Sequence, residues 1–365
     1  MNLINITGDK FVVMGGTGNH EADRHVLQWI NNVAKLNLKF CHINFGEFPD
    51  GEPDTRIENF ESIGGKIAII FQSVYNDKLK EQLLDFAYAC KYQYGAVIVI
   101  VVMSFPRYRR QDHGERIFEI NRNHKFIHEL KADGVDKLIL CDIHSQETLD
   151  NCAKEGIAAY NVPCAQVFAD RLAPVIEMIE KEGQSFYVYS PDAGSIPRAI
   201  NLAKILGRPI MADLKNRSHD LDVNLVKDAD RLAEFSKKYQ HEIIAADKEL
   251  INGSVLCIIE DELSTGGTAA LAGSYLKKEM GAAKLIFCAT HPVCCPGWKR
   301  KLIDGKVFDM ILFGSTIPRT YEKETDGQIT NVYVTKLVAQ QLLVVMAETE
   351  KELEQKNQLT NELRK

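Results

Sequence analysis

None of the nine cysteines in this 365-residue chain forms a Cys-x-x-Cys pair, so paired-cysteine zinc ribbons and dithiol redox motifs are excluded. The longest apolar runs, such as residues 96–103, fall far short of the roughly 18 residues that a membrane span requires. Basic residues are not in excess: 44 Lys and Arg stand against 50 Asp and Glu, for a formal charge of -6. A global basic footprint for nucleic acid is therefore absent. The start, MNLINITGDK, lacks a basic segment followed by an apolar one, which argues against a signal peptide. Cys141, Cys257 and Cys288 sit inside apolar runs, as reduced, buried thiols of a cytoplasmic protein do. The adjacent Cys294 and Cys295 stand apart, but adjacency alone does not make a site.

The composition is that of a globular chain, with 45% hydrophobic and 26% charged residues. Domains commonly hold about 100–200 residues, so two are expected. Short β-branched runs at 11–14, 67–71, 97–103, 138–141, 186–189, 255–259, 285–289 and 310–313 read as strands. Between them, residues 77–89, 117–130, 165–180 and 268–278 carry apolar side chains at helical spacing. Continuous apolar strands alternating with helices predict an α/β protein with buried parallel sheets. The pattern runs twice, which predicts domains at 1–163 and 164–345. One long helix is expected from 336 to 365, its residues 346–365 forming a polar helical tail.

Ligand-binding residues of such sheets collect beyond the carboxyl ends of the strands. The most informative cluster is VLCIIEDELSTGGT at 255–268. A strand delivers Glu260 and Asp261; then come Ser264, Thr265, Gly266, Gly267 and Thr268, and a helix. Small residues let the backbone approach a phosphate, which successive N–H groups, a helix N-terminus and the threonine hydroxyls then bind. The acids, one turn earlier, are placed to accept hydrogen bonds from ribose hydroxyls.

This stretch resembles the ribose-5-phosphate loop shared by type I phosphoribosyltransferases and ribose-phosphate diphosphokinases, the PRPP synthetases. Other segments, in order along residues 10–345, resemble the synthetases in particular. Phe48-Pro49-Asp50-Gly51-Glu52 is similar to their F-x-D-G-E element. Arg110-Gln111-Asp112, after Ser104-Phe105-Pro106, is similar to their R-Q-D segment. Asp142-Ile143-His144-Ser145 and Ser190-Pro191-Asp192-Ala193-Gly194 match D-L-H and S-P-D-x-G, and Ala289-Thr290-His291 and Thr316-Ile317-Pro318 follow in order. The chain is thus identified as a divergent member of that family.

The resemblance implies two type I phosphoribosyltransferase-like domains, with the ATP side in the first and the ribose-phosphate loop in the second. It implies transfer of the β,γ-diphosphoryl group of ATP to the C1 hydroxyl of ribose 5-phosphate, giving PRPP and AMP. Phe48, Asp50 and Glu52 would reach the adenine of a neighbouring subunit, in a homo-oligomer whose ATP site lies at a subunit interface. Arg110, Gln111 and Asp112 would hold ATP in their own subunit, and His144 and Asp192 would ligate Mg²⁺. Lys215 and Arg217 match the K-x-R of the family's catalytic flexible loop, and His144, outside that loop, is also implied to serve catalysis. Glu260, Asp261, Ser264, Thr265, Gly266, Gly267 and Thr268 would cradle the ribose phosphate. Phosphoryl transfer depends mainly on positioning and charge neutralisation, which suits this set.

The chain departs from the family at Glu260, usually Asp, and at Ser264, usually an acid. It also departs at Pro292-Val293-Cys294-Cys295, and it lacks a proline after Asp112. Loss of the acid at Ser264 frees space beside the 5-phosphate, so ADP-ribose, as an acceptor in NAD metabolism, is the alternative substrate. The motifs are also compatible with a non-catalytic regulatory subunit or with a phosphoribosyltransferase; retention of His144, Asp192, Lys215 and Arg217 argues against the first. His124 and His128 share a helix face and read as exposed positions. His291 reads equally as structural or as a supporting residue of the site. Arg107, Arg109, Arg110 and Arg116 form a basic stretch suited to polyphosphate.

Overall fold

Runs of Val, Ile and Phe with no polar alternation make strands that must be covered on both faces. The computed structural model, which describes residues 6–111, 118–192, 194–213, 225–319, 325 and 327–363, arranges them in two units. The first comprises Met1–Val162, Thr316–Pro318 and Val334–Lys365; the second comprises Pro163–Ser315 and Arg319–Tyr333.

The strands of the first unit are β1 (Phe11–Gly15), β2 (Ile43–Glu47), β3 (Pro53–Ile57), β4 (Ile67–Phe71), β5 (Ile98–Met103), β6 (Lys137–Cys141) and β7 (Ala158–Val162). A parallel sheet runs in the order β1-β4-β5-β6-β7, and β2 and β3 form a separate antiparallel hairpin. The second unit contributes β8 (Phe186–Ser190), β9 (Ile210–Ala212), β10 (Ile243–Ala245), β11 (Val255–Leu263), β12 (Lys284–Pro292), β13 (Met310–Gly314) and β14 (Ile329–Val332). They form one parallel sheet in the order β10-β9-β8-β11-β12-β13-β14. Helices flank both sheets, so the expected α/β class with mostly parallel sheets is the observed one. Ile70, Phe86, Val101 and Leu130 lie in the core of the first unit, and Leu256, Ile258, Phe287 and Phe313 in that of the second.

Among the boundaries that differ from the sequence reading, two have a clear local reason. The helix expected over 117–130 spans Arg122–Ala132, because the Asn121 side chain caps it by accepting from the His124 N–H at 2.8 Å. The strand expected to stop at 259 runs on to Leu263, with Glu260 and Glu262 in register with Ala289 and His291 of β12.

The final helix, Thr335–Leu363, packs with the first unit through Val338, Leu342, Val345 and Met346, all buried. Its polar continuation is anchored as well. Lys10 bridges Glu350 at 2.6 Å and Glu354 at 2.8 Å, Lys137 bridges Glu352 at 2.8 Å, and the Tyr160 hydroxyl donates to Glu348 at 3.2 Å. Burial raises the Glu350 pKa, but hydrogen bonds from Lys10 and from the Thr7 N–H outweigh it and hold the carboxyl below its usual range. A depressed carboxylate stabilises above its unfolded pKa and loses that contribution as pH falls through the folded value. Replacing Glu350 by Gln is therefore expected to cost about 1–2 kcal/mol near neutrality, allowing for screening of the half-exposed Lys10. In melts across pH, the difference between the two proteins should shrink once pH falls below about 4.3. A difference independent of pH would contradict this role. No described helix is long and apolar enough to cross a membrane.

All nine cysteines are free thiols, and seven of them are buried. Burial pushes Cys90 and Cys152 up to about 12, which leaves them protonated and unreactive near neutrality.

Candidate functional site

Parallel strands end together, so the segments that follow them share one edge of each sheet. In the first unit that edge gathers two predicted elements. Beyond β5, the chain turns at Tyr108, which takes a left-handed φ of 62°. Its hydroxyl donates to Asp77 at 2.8 Å, which together with the Arg107 guanidinium holds that carboxyl below its usual range. Beyond β6, Asp142 takes a left-handed φ of 34° and leads to half-buried His144 and Ser145. Arg109 is buried and donates to the Asp142 carbonyl, which joins the two segments. Non-glycine residues held at positive φ cost about 1–3 kcal/mol each and cluster at functional sites. Arg110 and Gln111 are exposed at this edge, while Asp112 lies outside the described residues.

Phe48, Asp50 and Glu52 occupy the tip of the β2–β3 hairpin. The Phe48 N–H donates to the Glu52 carbonyl at 2.8 Å, and Gly51, at φ 91°, takes the conformation that closes the turn. All three side chains are exposed, so the tip presents an aromatic face flanked by carboxylates to the surroundings.

In the second unit the acids and the small-residue loop come together as expected. Half-buried Glu260 and buried Asp261 are consecutive residues near the end of β11, and both bridge Arg198, at 3.4 and 3.3 Å. Arg198 lies one turn into the helix Ile196–Leu206. Asp192, after β8, sits just ahead of that helix, where its Oδ1 accepts from the Ser195 N–H at 2.9 Å. The loop then turns at Gly266, at φ 71°, and Gly267 opens the helix Gly267–Lys278. Gly266 is buried; Gly267 is half-buried, and Thr265 and Thr268 are exposed. The Cys295 N–H donates to the Ser264 carbonyl at 3.0 Å, and the Ser264 hydroxyl faces the Cys295 sulfur at 3.3 Å. Thr290 and His291 are fully buried on β12, beside β11.

Replacing Arg198 by Ala removes the cation that both acids share. The transition in a thermal melt is expected to fall by several degrees, because breaking a largely buried ion pair removes the charge that compensated the acids. An unchanged transition would show that the acids are held by other contacts.

Lys215 and Arg217 lie outside the described residues. Among the described residues, no group of three or more His, Cys, Asp or Glu side chains is arranged to hold a metal ion. His124 and His128, read as simply exposed, both hydrogen-bond Glu155, at 2.9 and 3.0 Å, and fasten their helix to the residue that ends Glu147–Lys154.

Two features escaped the sequence reading. Arg198 is eight residues from Ser190 in the chain, and only the neighbouring of β8 and β11 brings it to the acids. The glycine-rich turn Gly15-Gly16-Thr17-Gly18 after β1 is also informative. Its N–H groups face side chains of its own unit: Gly18 donates to Gln72 at 2.8 Å, and Thr17 donates to Gln82 at 2.9 Å. A Cβ at Gly18 would stand 2.2 Å from the Ser73 carbonyl oxygen. These glycines allow close packing on two glutamines, which occupy the donors that a phosphate would need.

The chain matches no protein-family model. It is 28% identical over 336 residues to a ribose-phosphate pyrophosphokinase of Marinomonas sp., covering 91% of this chain and 94% of that one. It is 26% identical over 347 residues to a ribose-phosphate pyrophosphokinase of Nitrosomonas europaea, covering 93% of this chain and 96% of that one. A crystal structure of phosphoribosylpyrophosphate synthetase from Mycobacterium smegmatis superposes with a TM-score of 0.73 at 19% identity, over 93% of this chain and 99% of that chain. That likeness establishes a shared fold across both units.

Proposed function

We propose that this chain, a divergent relative of the ribose-phosphate pyrophosphokinases, catalyses transfer of the β,γ-diphosphoryl group of ATP to the C1 hydroxyl of ribose 5-phosphate. The observation that carries the proposal is the end of β11: paired acids held by Arg198, then a Ser-Thr-Gly-Gly-Thr turn opening a helix. Carboxylates suit ribose hydroxyls, and free N–H groups and hydroxyls suit a phosphate.

In this reading the C1 hydroxyl oxygen attacks the β-phosphorus of ATP. The bond from that phosphorus to the oxygen bridging the α-phosphate breaks, AMP departs and the hydroxyl proton is released. Glu260 and Asp261 orient the sugar, and the loop from Ser264 to Thr268 holds its phosphate. Lys215 and Arg217 neutralise charge on the transferring group. Arg110, Gln111 and Asp112 hold the nucleotide. Phe48, Asp50 and Glu52, exposed on their hairpin, reach the adenine bound by a second copy, so the working form is a homo-oligomer.

Magnesium suits the donors present: a carboxylate is a natural ligand for an ion that keeps several waters, and an imidazole a less common one. Asp192 offers such a carboxylate in the second unit and His144 an imidazole in the first, and when bound the ion would neutralise the phosphates of ATP.

The test is incubation with ATP, Mg²⁺ and either ribose 5-phosphate or ADP-ribose, with AMP followed by chromatography and the product by mass. AMP together with a diphosphorylated pentose phosphate is the expected result. Diphosphorylated ADP-ribose alone would move the chain to NAD metabolism. Absence of AMP with both acceptors would leave a regulatory, non-catalytic role.

A further inference from the structure

The sugar-phosphate loop has a neighbour that neither the resemblance nor the motif reading assigns. The short helix Trp298–Leu302 packs against it, with the Leu302 side chain directly beneath Gly266. Lys301, the preceding residue on that helix, is half-buried. Its ammonium nitrogen lies 3.4 Å from the position that a Cβ on Gly267 would take, and the Thr265 hydroxyl lies 3.7 Å from the same point. The two donors thus converge beside the first residue of the helix Gly267–Lys278.

This placement is unfavourable unless an anion completes it. The N-terminus of a helix carries partial positive charge, and a cation there is repelled. Among the described residues Lys301 has neither an ion pair nor a hydrogen bond, whereas its neighbour Lys299 lies over the Trp298 ring at 6.0 Å. The loop offers Lys301 no carboxylate either, since Ser264 stands there and its hydroxyl turns to Cys295.

We propose that Lys301 is a binding residue for the 5-phosphate of the acceptor, and that it selects a terminal phosphate monoester over a phosphate already esterified at a second oxygen. The inference rests on the sugar-phosphate reading of the loop and names the acceptor class that the loop favours. A terminal monoester carries between one and two charges near neutrality, with a second pKa of about 6. An internal phosphate of a diphosphate bridge carries one. An otherwise unpaired ammonium at a helix N-terminus gains more from the first. The freed space at Ser264 does not offset this, because the charge beside it is positive.

The experiment compares wild type with Lys301→Met, Lys301→Gln and Lys301→Arg. Calorimetric titration with ribose 5-phosphate, ADP-ribose and unphosphorylated ribose between pH 5 and 8 reads binding whether or not turnover occurs. Steady-state kinetics read the Michaelis constant and the turnover number. In wild type, affinity for ribose 5-phosphate should fall about tenfold from pH 7.5 to 5, as the phosphate gains its second proton. The Met and Gln variants should bind it about 10- to 100-fold more weakly and with a flatter pH profile, with turnover at saturation changed less than about threefold. The Arg variant should recover most of the affinity. Circular dichroism and melting identify any misfolded variant, and the pair of neutral substitutions provides a second route to the same reading.

Unchanged affinity in both folded neutral variants would overturn the proposal, as would ADP-ribose binding more tightly than ribose 5-phosphate in wild type. Lys301-dependent binding of ribose 5-phosphate with no AMP formed would support it while refuting the proposed reaction. AMP formation with no dependence on Lys301 would do the reverse.

Discussion

Replacing Gly266 by Ala is expected to destabilise the second unit by about 2–5 kcal/mol, the largest stability effect of any single methyl group at the candidate site. Two costs add. Gly266 sits at φ 71°, where an L-residue pays about 1–2 kcal/mol. Its new Cβ would also stand 1.9 Å from the Leu302 Cδ1, which is 1% exposed and cannot move into solvent. Overpacking of that kind costs about 1–3 kcal/mol. The measurement is a thermal melt, with the transition lowered by about 5–15 °C. A double-mutant cycle with Leu302→Ala separates the costs. The clash should appear as a coupling of about 1–3 kcal/mol, while the backbone cost persists in the double variant. Because the loop would shift to relieve the clash, affinity for ribose 5-phosphate should fall along with stability. A variant with unchanged melting would contradict the close packing of Trp298–Leu302 on the loop.

Asp192→Asn is expected to have the largest effect on activity for the least effect on folding. Asp192 does two separable things. Its Oδ1 accepts from the Ser195 N–H and so helps to start the helix Ile196–Leu206, and its charge suits a magnesium ion. An amide oxygen can still accept the hydrogen bond, so the melting temperature should stay within about 2 °C of wild type. The charge is lost, so turnover at fixed magnesium should fall about 10²- to 10³-fold, the range found when one preorganised charge-stabilising group is removed. Raising the magnesium concentration should recover part of it. Full activity would place the metal elsewhere; a large fall in melting would show that the structural role dominates.

The eight strands legible in the sequence are those whose apolar runs are covered on both faces, such as Ile67–Phe71, in which every residue is buried. The strands that escaped have other patterns. Ile210–Ala212 and Ile243–Ala245 hold only three residues each, and Ala158–Val162 ends its sheet with mostly part-exposed side chains. The Ile43–Glu47 and Pro53–Ile57 hairpin is largely exposed and lacks an apolar alternation strong enough to mark it. At the candidate site, the acids and the Ser-Thr-Gly-Gly-Thr turn were legible because they follow one another in the chain. Arg198 and Lys301 were not, because each reaches the loop from a different element. The anchoring of the polar tail after residue 346 was not legible for a related reason. Its partners, Lys10, Lys137 and Tyr160, lie far away in sequence.

The most direct measurement is a ³¹P NMR time course of the protein with ATP, Mg²⁺ and ribose 5-phosphate. Transfer of the intact diphosphoryl group requires the β and γ resonances of ATP to move together onto the pentose C1 as AMP appears in equal amount. ADP with a singly phosphorylated sugar, or inorganic phosphate with no new sugar ester, would contradict the account.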